Sequence, residues 1–341
     1  MSTIPLPDKP AFSGLKSPER TYLELPPEQT SFVCGRTGKK GVVYRLETSA
    51  RYPCGHYVLR SEGANWFIKI KDPTNNHNLQ SQLIAFEAAG NGAPVVASEL
   101  CEDPENFFKI EIQPFVESRL PKCDPNDASL TGKALAQMHL ALRKSEQKAL
   151  VRQNTLARHL HLAEIYRDIE NKGRLPFPLD ITLLDLRGSK PFQFDLAIDG
   201  QIIHGDLNIG NILIEKSSNS ACFIDCENMS LSWLSPLVDI GMVIQRQILV
   251  AEASNSVKEA AIYNFLLSYQ DTSLGKIAVD GERLVRAIAW TCMRNICLLL
   301  ALRHQGREPE KTEWLKFQSL VQLNQEWADR VSSAAQIIKS S

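Results

Sequence analysis

The 341-residue sequence lacks the features that mark membrane, secreted or nucleic-acid-binding proteins. Its longest apolar run, residues 296–302, is too short to span a bilayer, and residues 1–20 contain no apolar run suited to a signal peptide. Lys and Arg number 38 against 39 Asp and Glu, so the basic excess that a nucleic acid or an anionic membrane surface attracts is missing. We therefore expect neither a nucleic acid nor a membrane as a partner.

The cysteines also lack a recognisable pattern. None of the eight belongs to a Cys-x-x-Cys pair, the spacing typical of zinc sites and redox motifs. Most of them stand in apolar contexts, which fits buried, reduced thiols better than disulfides. The sequence therefore predicts a cytoplasmic location.

The length predicts two lobes, because 341 residues exceed what one hydrophobic core usually supports. Six prolines within residues 1–27 indicate an extended N-terminal arm. Residues 28–116 are predicted to form a β-rich N-lobe with one helix over 79–89. Its strands are expected in short β-branched or aromatic runs separated by Gly, Pro or Asn. These runs are residues 31–34, 42–46, 56–60, 66–70 and 107–112, and a further strand is expected to begin at 93–96.

The remainder of the chain, residues 117–341, is predicted to be a mainly helical C-lobe. Apolar residues recur there at helical spacing in six segments. These segments are 129–144, 155–170, 238–252, 257–268, 282–303 and 311–338. Two short strands at 211–215 and 221–225 interrupt the helices and are joined by a polar turn. The predicted fold class is α+β, with two lobes.

One C-lobe segment carries residues suited to phosphoryl transfer. It runs from His204 to Asn211 with the sequence HGDLNIGN, and Asp225 follows Asp206 by nineteen residues. The hairpin would bring Asp225 close to Asn211, and such a pair offers the hard oxygen ligands that Mg²⁺ prefers. Asp206 can accept a proton from an incoming hydroxyl. Positioning, a metal site and a base are what phosphoryl transfer from a nucleotide requires.

The pattern His-x-Asp-x-x-x-x-Asn, followed by a hairpin and Ile-Asp-x-Glu, resembles the catalytic signature of the aminoglycoside phosphotransferase and choline kinase superfamily, which are relatives of protein kinases. The resemblance covers about residues 30–300 and is sharp over 202–240. It implies a bilobal protein-kinase-like fold and ATP as co-substrate. It also implies Mg²⁺ held by Asn211 and Asp225.

The same resemblance assigns roles to the remaining polar residues of this region. Asp206 is the expected catalytic base. His204 and Asp239 are expected to support the catalytic loop rather than to transfer protons. Glu227 is expected either to contact the metal ligands without binding the metal itself or to be a solvated carboxylate.

In the N-lobe, the resemblance implies a lysine that grips the nucleotide phosphates. Side chains alternate along a strand, so Phe67 and Lys69 share one face, with Phe67 over an adenine and Lys69 toward the phosphates. Lys71 lies on that face too, but its choice would put Lys69 where the base should pack. Glu87 on the following helix is the expected partner of Lys69.

A hinge and a phosphate-covering loop complete the expected nucleotide site. Gln113 and Phe115 lie in the strand that would leave the N-lobe and become the hinge. Gly35 and Gly38 belong to a glycine-containing run with the flexibility of a phosphate-covering loop. The turn at 49–55 is the alternative for that loop. The chain has neither a Walker A sequence nor Gly-x-Gly-x-x-Gly.

The expected function is transfer of the ATP γ-phosphate to a hydroxyl of a small molecule: a sugar, amino alcohol, amino acid, nucleoside or aminoglycoside. A protein kinase is the first alternative, but only thirteen residues separate Asp225 from Asp239, too few for a long activation segment. A non-catalytic nucleotide-binding scaffold is the second, yet Asp206, Asn211 and Asp225 are all present. Residues 226–341 hold twelve acidic and twelve basic residues, which indicates no acidic pocket for a polycation. The acceptor and the oligomeric state stay open.

Overall fold

The N-lobe is built on a six-stranded antiparallel sheet. A computed structural model describes residues 22–46, 52–71, 78–102, 108–171, 199–274, 277 and 279–340. Across the sheet the strands are ordered β1-β2-β3-β4-β6-β5. They are β1 (Tyr22–Glu24), β2 (Val42–Leu46), β3 (Gly55–Arg60), β4 (Asn65–Lys71), β5 (Glu99–Glu102) and β6 (Lys109–Pro114).

The two faces of this sheet differ in character. Alternate residues of β4 and β6, such as Ile68 and Ile112, pack on one face with Val33 of helix α1 (Pro27–Thr37). The other face carries Phe67 and Lys69 and turns toward the C-lobe. Helix α2 (Asn78–Gly90) packs against the C-lobe core. The face that carries Phe67 and Lys69 is therefore separated from α1 by the sheet itself.

Two N-terminal predictions are wrong. Residues 31–34 lie within α1 rather than in a strand, because Pro27 can begin a helix and Gly38, in the left-handed conformation, ends it. The predicted arm ends too late, because β1 pairs with β2 at the sheet edge. The first 21 residues of that arm lie outside the described residues.

The C-lobe is mainly helical, as predicted. Its helices are α3 (Pro125–Leu142), α4 (Lys148–Asn171), α5 (Leu237–Val243), α6 (Asn255–Ser273), α7 (Gly281–His304) and α8 (Lys311–Ser340). Short strands form a three-stranded sheet, ordered β10-β9-β7, and a two-stranded pair of β11 with β8. They are β7 (Ser118–Arg119), β8 (Gln201–Ile202), β9 (Ile212–Glu215), β10 (Ala221–Phe223) and β11 (Trp233–Leu234). The helix predicted over 238–252 is α5 followed by a π-helical segment, Ile244–Leu249.

One large hydrophobic cluster joins α2 and α3 to the β9–β10 hairpin and to helices α5 to α8. Helix α7 is apolar and long enough to cross a membrane by length and composition alone, but 72% of its most apolar window is buried inside the protein. It therefore has the burial of a core helix. The predicted architecture, a β-rich N-lobe and a helical C-lobe, is confirmed.

Candidate active site

The loop between β8 and β9 is held by a buried carboxylate from α5. Asp239 accepts hydrogen bonds from the backbone N–H of His204 at 2.8 Å and of Gly205 at 2.9 Å. It also lies 3.1 Å from Nε2 of His139. The His204 ring in turn contacts the carbonyl of Ile224 through Nε2 at 3.0 Å. The loop conformation is thus fixed by bonds to α5 and to the end of β10.

Gly205 is required for this loop to form. Its φ of 79° lies in the left-handed region, and a Cβ at this position would lie 2.1 Å from Oγ of Ser232. Only glycine avoids both the backbone strain and the clash.

The hairpin brings the predicted metal ligands together. The carbonyl of Asn211 accepts from the N–H of Ile224 at 3.1 Å, next to Asp225. The Asn211 amide donates from Nδ2 to the carbonyl of Asp206 at 2.8 Å, a bond that does not use its Oδ1. Asp225 has φ 63° and ψ 53°, a left-handed conformation that Asp tolerates better than most residues.

The donor set fits a magnesium ion shared with phosphate. Asn211 and Asp225 supply two hard oxygen ligands, and Mg²⁺ usually takes only one or two protein carboxylates beside water and phosphate oxygens. Within the ranges that the structure covers, no group of three or more His, Cys, Asp and Glu residues could hold a metal by itself. The site therefore suits a metal that arrives with a nucleotide.

The two aspartates of this site have opposite electrostatic environments. Burial alone would raise the pKa of Asp225, but the charge and hydrogen bond of Lys69 outweigh burial and lower that pKa. For Asp206, burial raises the pKa, and the nearby charges of His204 and Arg294 offset only part of the effect. Asp225 is thus held ionised, whereas Asp206 takes up a proton more readily than an ordinary aspartate.

Lys69 contacts one of the two candidate metal ligands directly. Its Nζ lies 2.5 Å from Oδ1 of Asp225. The predicted pair of Lys69 with Glu87 is wrong, because Glu87 lies near the end of α2 and faces the connection between α3 and α4. There it accepts hydrogen bonds from Oγ of Ser145 at 2.6 Å and from the N–H of Glu146 at 2.7 Å.

A second lysine completes the charge network on this strand. Nζ of Lys71 lies 2.9 Å from Glu227 and 3.3 Å from Glu111. Burial would lower the pKa of Lys71, but these two carboxylates raise it overall. Glu227 is therefore an ion-pair partner of Lys71, two residues from the candidate metal ligand Asp225. Sequence reasoning missed Glu111, although a carboxylate in the apolar strand β6, directly opposite Lys69, was a usable signal.

A cavity of about 570 Å³ opens between the lobes, and its lining includes Phe67 and Ile224, which are close in sequence to Lys69 and Asp225. Phe67 and Gln113, which are opposite each other in the β4–β6 ladder, line it from the N-lobe. Phe115 lines it from the hinge, and Leu213 and Ile224 line it from the C-lobe. Apolar surfaces from both lobes thus border a space suited to a flat aromatic base.

The prediction that Gly35 and Gly38 belong to a phosphate-covering loop is wrong. Gly35 lies within α1 and Gly38 ends it, so both are on the sheet face opposite Lys69. The connection between β2 and β3 contains Tyr52, whose ring centre lies 5.9 Å from that of Phe32 in α1. It includes most of the alternative loop, 49–55, of which residues 49–51 lie outside the described residues.

Three arginines of the C-lobe also lie near Asp206, and sequence reasoning did not single them out. Arg294 of α7 donates from Nη1 to the carbonyl of Gly205 at 3.2 Å. Arg158 of α4 donates from Nη1 to Oδ1 of Asn228 at 3.3 Å. Arg246, in the π-helical segment, interacts electrostatically with Asp206. The available signal was an arginine within otherwise apolar helical stretches. We call Arg158, Arg246 and Arg294 the arginine cluster.

Comparison with known proteins places these features in a family. The model of the phosphotransferase enzyme family (APH) matches residues 83–268. No curated protein sequence shows significant similarity to the chain.

Several solved structures share the fold. The choline kinase LicA from Streptococcus pneumoniae has a TM-score of 0.57 at 13% identity, covering 87% of this chain and 97% of that one. An aminoglycoside phosphotransferase from Alicyclobacillus acidocaldarius has 0.50 at 14%, covering 87% and 93%. Amicoumacin kinase hAmiN, in complex with AMP-PNP, Ca²⁺ and Ami, has 0.51 at 14%, covering 90% of each chain. The expected bilobal protein-kinase-like fold is thereby confirmed.

Proposed function

Because the chain belongs to the phosphotransferase enzyme family, the superfamily that its catalytic signature resembles, we propose that it transfers the γ-phosphate of ATP to a hydroxyl of a small molecule. The observation that carries this proposal is the convergence of Lys69, Asn211 and Asp225, with Asp206 on the same loop as Asn211. Phe67 and Ile224, close to these residues in sequence, line the interlobe cavity. Each part that phosphoryl transfer needs is present.

Adenine recognition is proposed at the hinge. The N–H of Phe115 donates to the carbonyl of Asn65 at 2.9 Å, so alternate residues of this segment direct their backbone groups toward β4. The carbonyl of Pro114 and the N–H of Val116 then point away from β4. We assign this acceptor and this donor, respectively, to the edge of the adenine base. Phe67 would pack on one face of the base.

Metal binding is proposed at Asn211 and Asp225. The amicoumacin kinase structure contains AMP-PNP and Ca²⁺, which supports a nucleotide and a divalent cation for this fold. Mg²⁺ held there would neutralise charge on the phosphates during transfer. Lys69, already 2.5 Å from Asp225, would contribute a fixed positive charge to the same phosphates.

Asp206 is the proposed base. It orients the acceptor hydroxyl and takes its proton as the hydroxyl oxygen forms a bond to the γ-phosphorus. The bond from that phosphorus to the bridging oxygen breaks, and ADP leaves. Asp239 acts by fixing the loop that carries Asp206, through its two bonds to backbone N–H groups.

The test is Mg-ATP-dependent ADP release across a panel of hydroxyl metabolites, with Asp206→Ala as the blank. We expect at least one acceptor to give turnover, and the variant to lose it by about 10³-fold while nucleotide affinity stays nearly unchanged. Unchanged turnover in Asp206→Ala would overturn the assignment of the base. Nucleotide binding without turnover on any acceptor would favour a non-catalytic scaffold.

A further inference from the structure

The arginine cluster has no carboxylate partner in the part of the chain that the structure describes. Arg246 and Arg294 are only 5% and 7% exposed, yet neither forms an ion pair with a described residue. The Nε atoms of both also lack a hydrogen-bond partner among the described residues. Arg158 is half-buried and donates only to the neutral side chain of Asn228 among described groups.

Buried positive charges without a counterion destabilise the folded protein. An ion removed from water is stable in a protein when it is paired or bound to a ligand. Arg246 stands 5.3 Å from the ring centre of Phe317, and Arg294 stands 5.9 Å from that of Trp290, so aromatic rings cover them instead of water. Two buried guanidinium groups that both interact with the charge of Asp206 indicate a place for an anion.

The neighbouring groups form no direct ion pair with these guanidinium groups among the described residues. Asp239 already accepts two backbone N–H bonds. His159 remains uncharged, because burial and the charges of Arg294 and Arg158 lower its pKa to about 3. Asp206 and Asp239 act electrostatically on Arg294, and Asp206 and Glu313 act on Arg246, but none of these carboxylates forms an ion pair with an arginine of the cluster among the described residues. The cluster beside the proposed base therefore lacks a direct counterion.

The nucleotide phosphates do not account for the cluster. The interlobe cavity is lined by the N-lobe sheet, the hinge and the β9–β10 hairpin. The cluster belongs to α4, α7 and the π-helical segment, all in the C-lobe, and Arg294 contacts Gly205, next to Asp206. It thus faces the catalytic loop from the helices that follow or precede it, where an acceptor would lie.

We propose that the arginine cluster binds an anionic group of the acceptor, so that the substrate is a hydroxyl compound carrying a carboxylate or a phosphate. The inference rests on the proposed function, whose acceptor it specifies. Guanidinium groups suit both anions because their planar N–H donors match two oxygens at once. Cationic acceptors, such as amino alcohols and aminoglycosides, are disfavoured by the same charge.

The first experiment measures thermal unfolding of the full chain with inorganic phosphate or malonate, with and without saturating Mg-AMP-PNP, at ionic strength held constant with NaCl. We expect one of these anions to raise the melting temperature by about 2 °C beyond NaCl, also with the nucleotide bound. The preferred anion distinguishes a phosphate-bearing acceptor from a carboxylate-bearing one.

Two variants and one matched control locate the effect. Arg246→Met should abolish the anion-dependent rise while leaving the anion-free protein as stable as the wild type or more stable, because it removes an unpaired buried charge. Arg158→Met, at a half-buried position, should also abolish the rise. Arg286→Met removes an exposed arginine from the same helix as Arg294 and should retain it.

The outcomes separate this inference from the proposed function. A rise that persists in Arg246→Met and Arg158→Met, or that NaCl alone reproduces, overturns the anion site. A loss of stability in anion-free Arg246→Met shows an internal counterion and overturns it too. Failure of Mg-AMP-PNP to raise the melting temperature counts against the proposed function instead, and the nucleotide-free titration still tests the cluster.

Turnover gives an independent measure on matched acceptors. Glycerate is compared with glycerol, and glucose 6-phosphate with glucose. If any of these acceptors is used, we expect the anionic member to exceed its neutral counterpart by about 100-fold in kcat/KM, and Arg246→Met to remove most of that difference. A preference for choline or kanamycin over every anionic acceptor would overturn the inference.

Discussion

The proposed nucleotide side and the proposed acceptor side of the catalytic loop both contain basic side chains, but they differ in their carboxylate partners. On the nucleotide side, three basic residues pair with acids, whereas Arg60 and Lys216, which also line the cavity, form no ion pair among the described residues. The pairs are Lys69 with Asp225, Lys71 with Glu111 and Glu227, and Arg119 with Asp127. On the acceptor side, the arginine cluster has no such partner among the described residues. The same type of charge is therefore used in two ways.

This difference separates a charge that stabilises the fold from a charge that is available to bind a ligand. A paired lysine such as Lys69 stabilises the free protein and keeps Asp225 oriented, so its removal leaves a carboxylate without a partner. An unpaired buried arginine such as Arg246 destabilises the free protein, so an apolar replacement relieves the cost of burying it. Removal should thus have opposite effects on stability on the two sides.

The largest effect is expected for Asp225→Asn. The variant loses the charged metal ligand and leaves Lys69 unpaired, so turnover should fall by about 10³-fold or more. ADP release with the best acceptor from the panel measures it. Glu215→Gln, at the end of β9 in the same hairpin, is the control and should keep its turnover. A fall of less than tenfold in Asp225→Asn would contradict the proposed metal site.

Lys69→Met tests the comparison itself. We expect kcat/KM for ATP to fall by about 10²-fold, because a fixed positive charge on the phosphates is lost. We also expect the free energy of unfolding to fall by about 2 kcal/mol, because the ion pair with the half-exposed Asp225 is broken. Urea unfolding beside Arg246→Met gives the contrast. Destabilisation of the same size in both variants would remove the distinction between the two sides.

The pair of Arg119 and Asp127 offers a pH-dependent test at the hinge. Asp127 is 1% exposed and accepts hydrogen bonds from Arg119 and from the N–H of Lys122. Burial would raise the pKa of Asp127, but these bonds and charges lower it below the ordinary value of 3.8. A lowered pKa stabilises the fold above the ordinary pKa, and the contribution is lost as the pH falls through the native-state pKa.

Asp127→Asn should therefore lower the free energy of unfolding by about 1 to 2 kcal/mol at pH 7, a value kept small because the Arg119 side chain is 36% exposed. The difference from the wild type should shrink as the pH falls below 3.8. Urea unfolding at several pH values measures it. Asp199→Asn, at a largely exposed ion pair, should change stability by less than about 0.5 kcal/mol. A pH-independent difference would contradict this account.

The catalytic hairpin could be predicted because its geometry is local. Asp206, Asn211 and Asp225 lie within twenty residues, and a short polar turn is enough to return one strand to the other. Alternation along β4 likewise predicted that Phe67 and Lys69 share the nucleotide face. The N-terminal error has a local cause too, because a short apolar run fits a helix or a strand equally well and only the flanking Pro27 and Gly38 decide.

The remaining features depend on contacts that no local pattern records. Glu87 is on the expected helix, but whether it reaches Lys69 or the start of α4 depends on how the lobes pack. The arginine cluster assembles from positions 158, 246 and 294, which the sequence separates by dozens of residues. Whether an arginine is buried without an acidic partner depends on the folded chain. The numbers of acidic and basic residues are equal over 226–341, so composition gives no sign of it.

The smallest effect is expected for Glu87→Gln, and it tests whether pairing on the nucleotide side is already complete. Because Glu87 bonds to Ser145 and Glu146 rather than to Lys69, turnover should change by less than about twofold, and stability should fall by about 1 kcal/mol. ADP release and urea unfolding measure the two. A loss of turnover comparable to that of Lys69→Met would show instead that Lys69 exchanges Asp225 for Glu87 when the nucleotide binds. The pairs seen on the nucleotide side would then describe only the free protein.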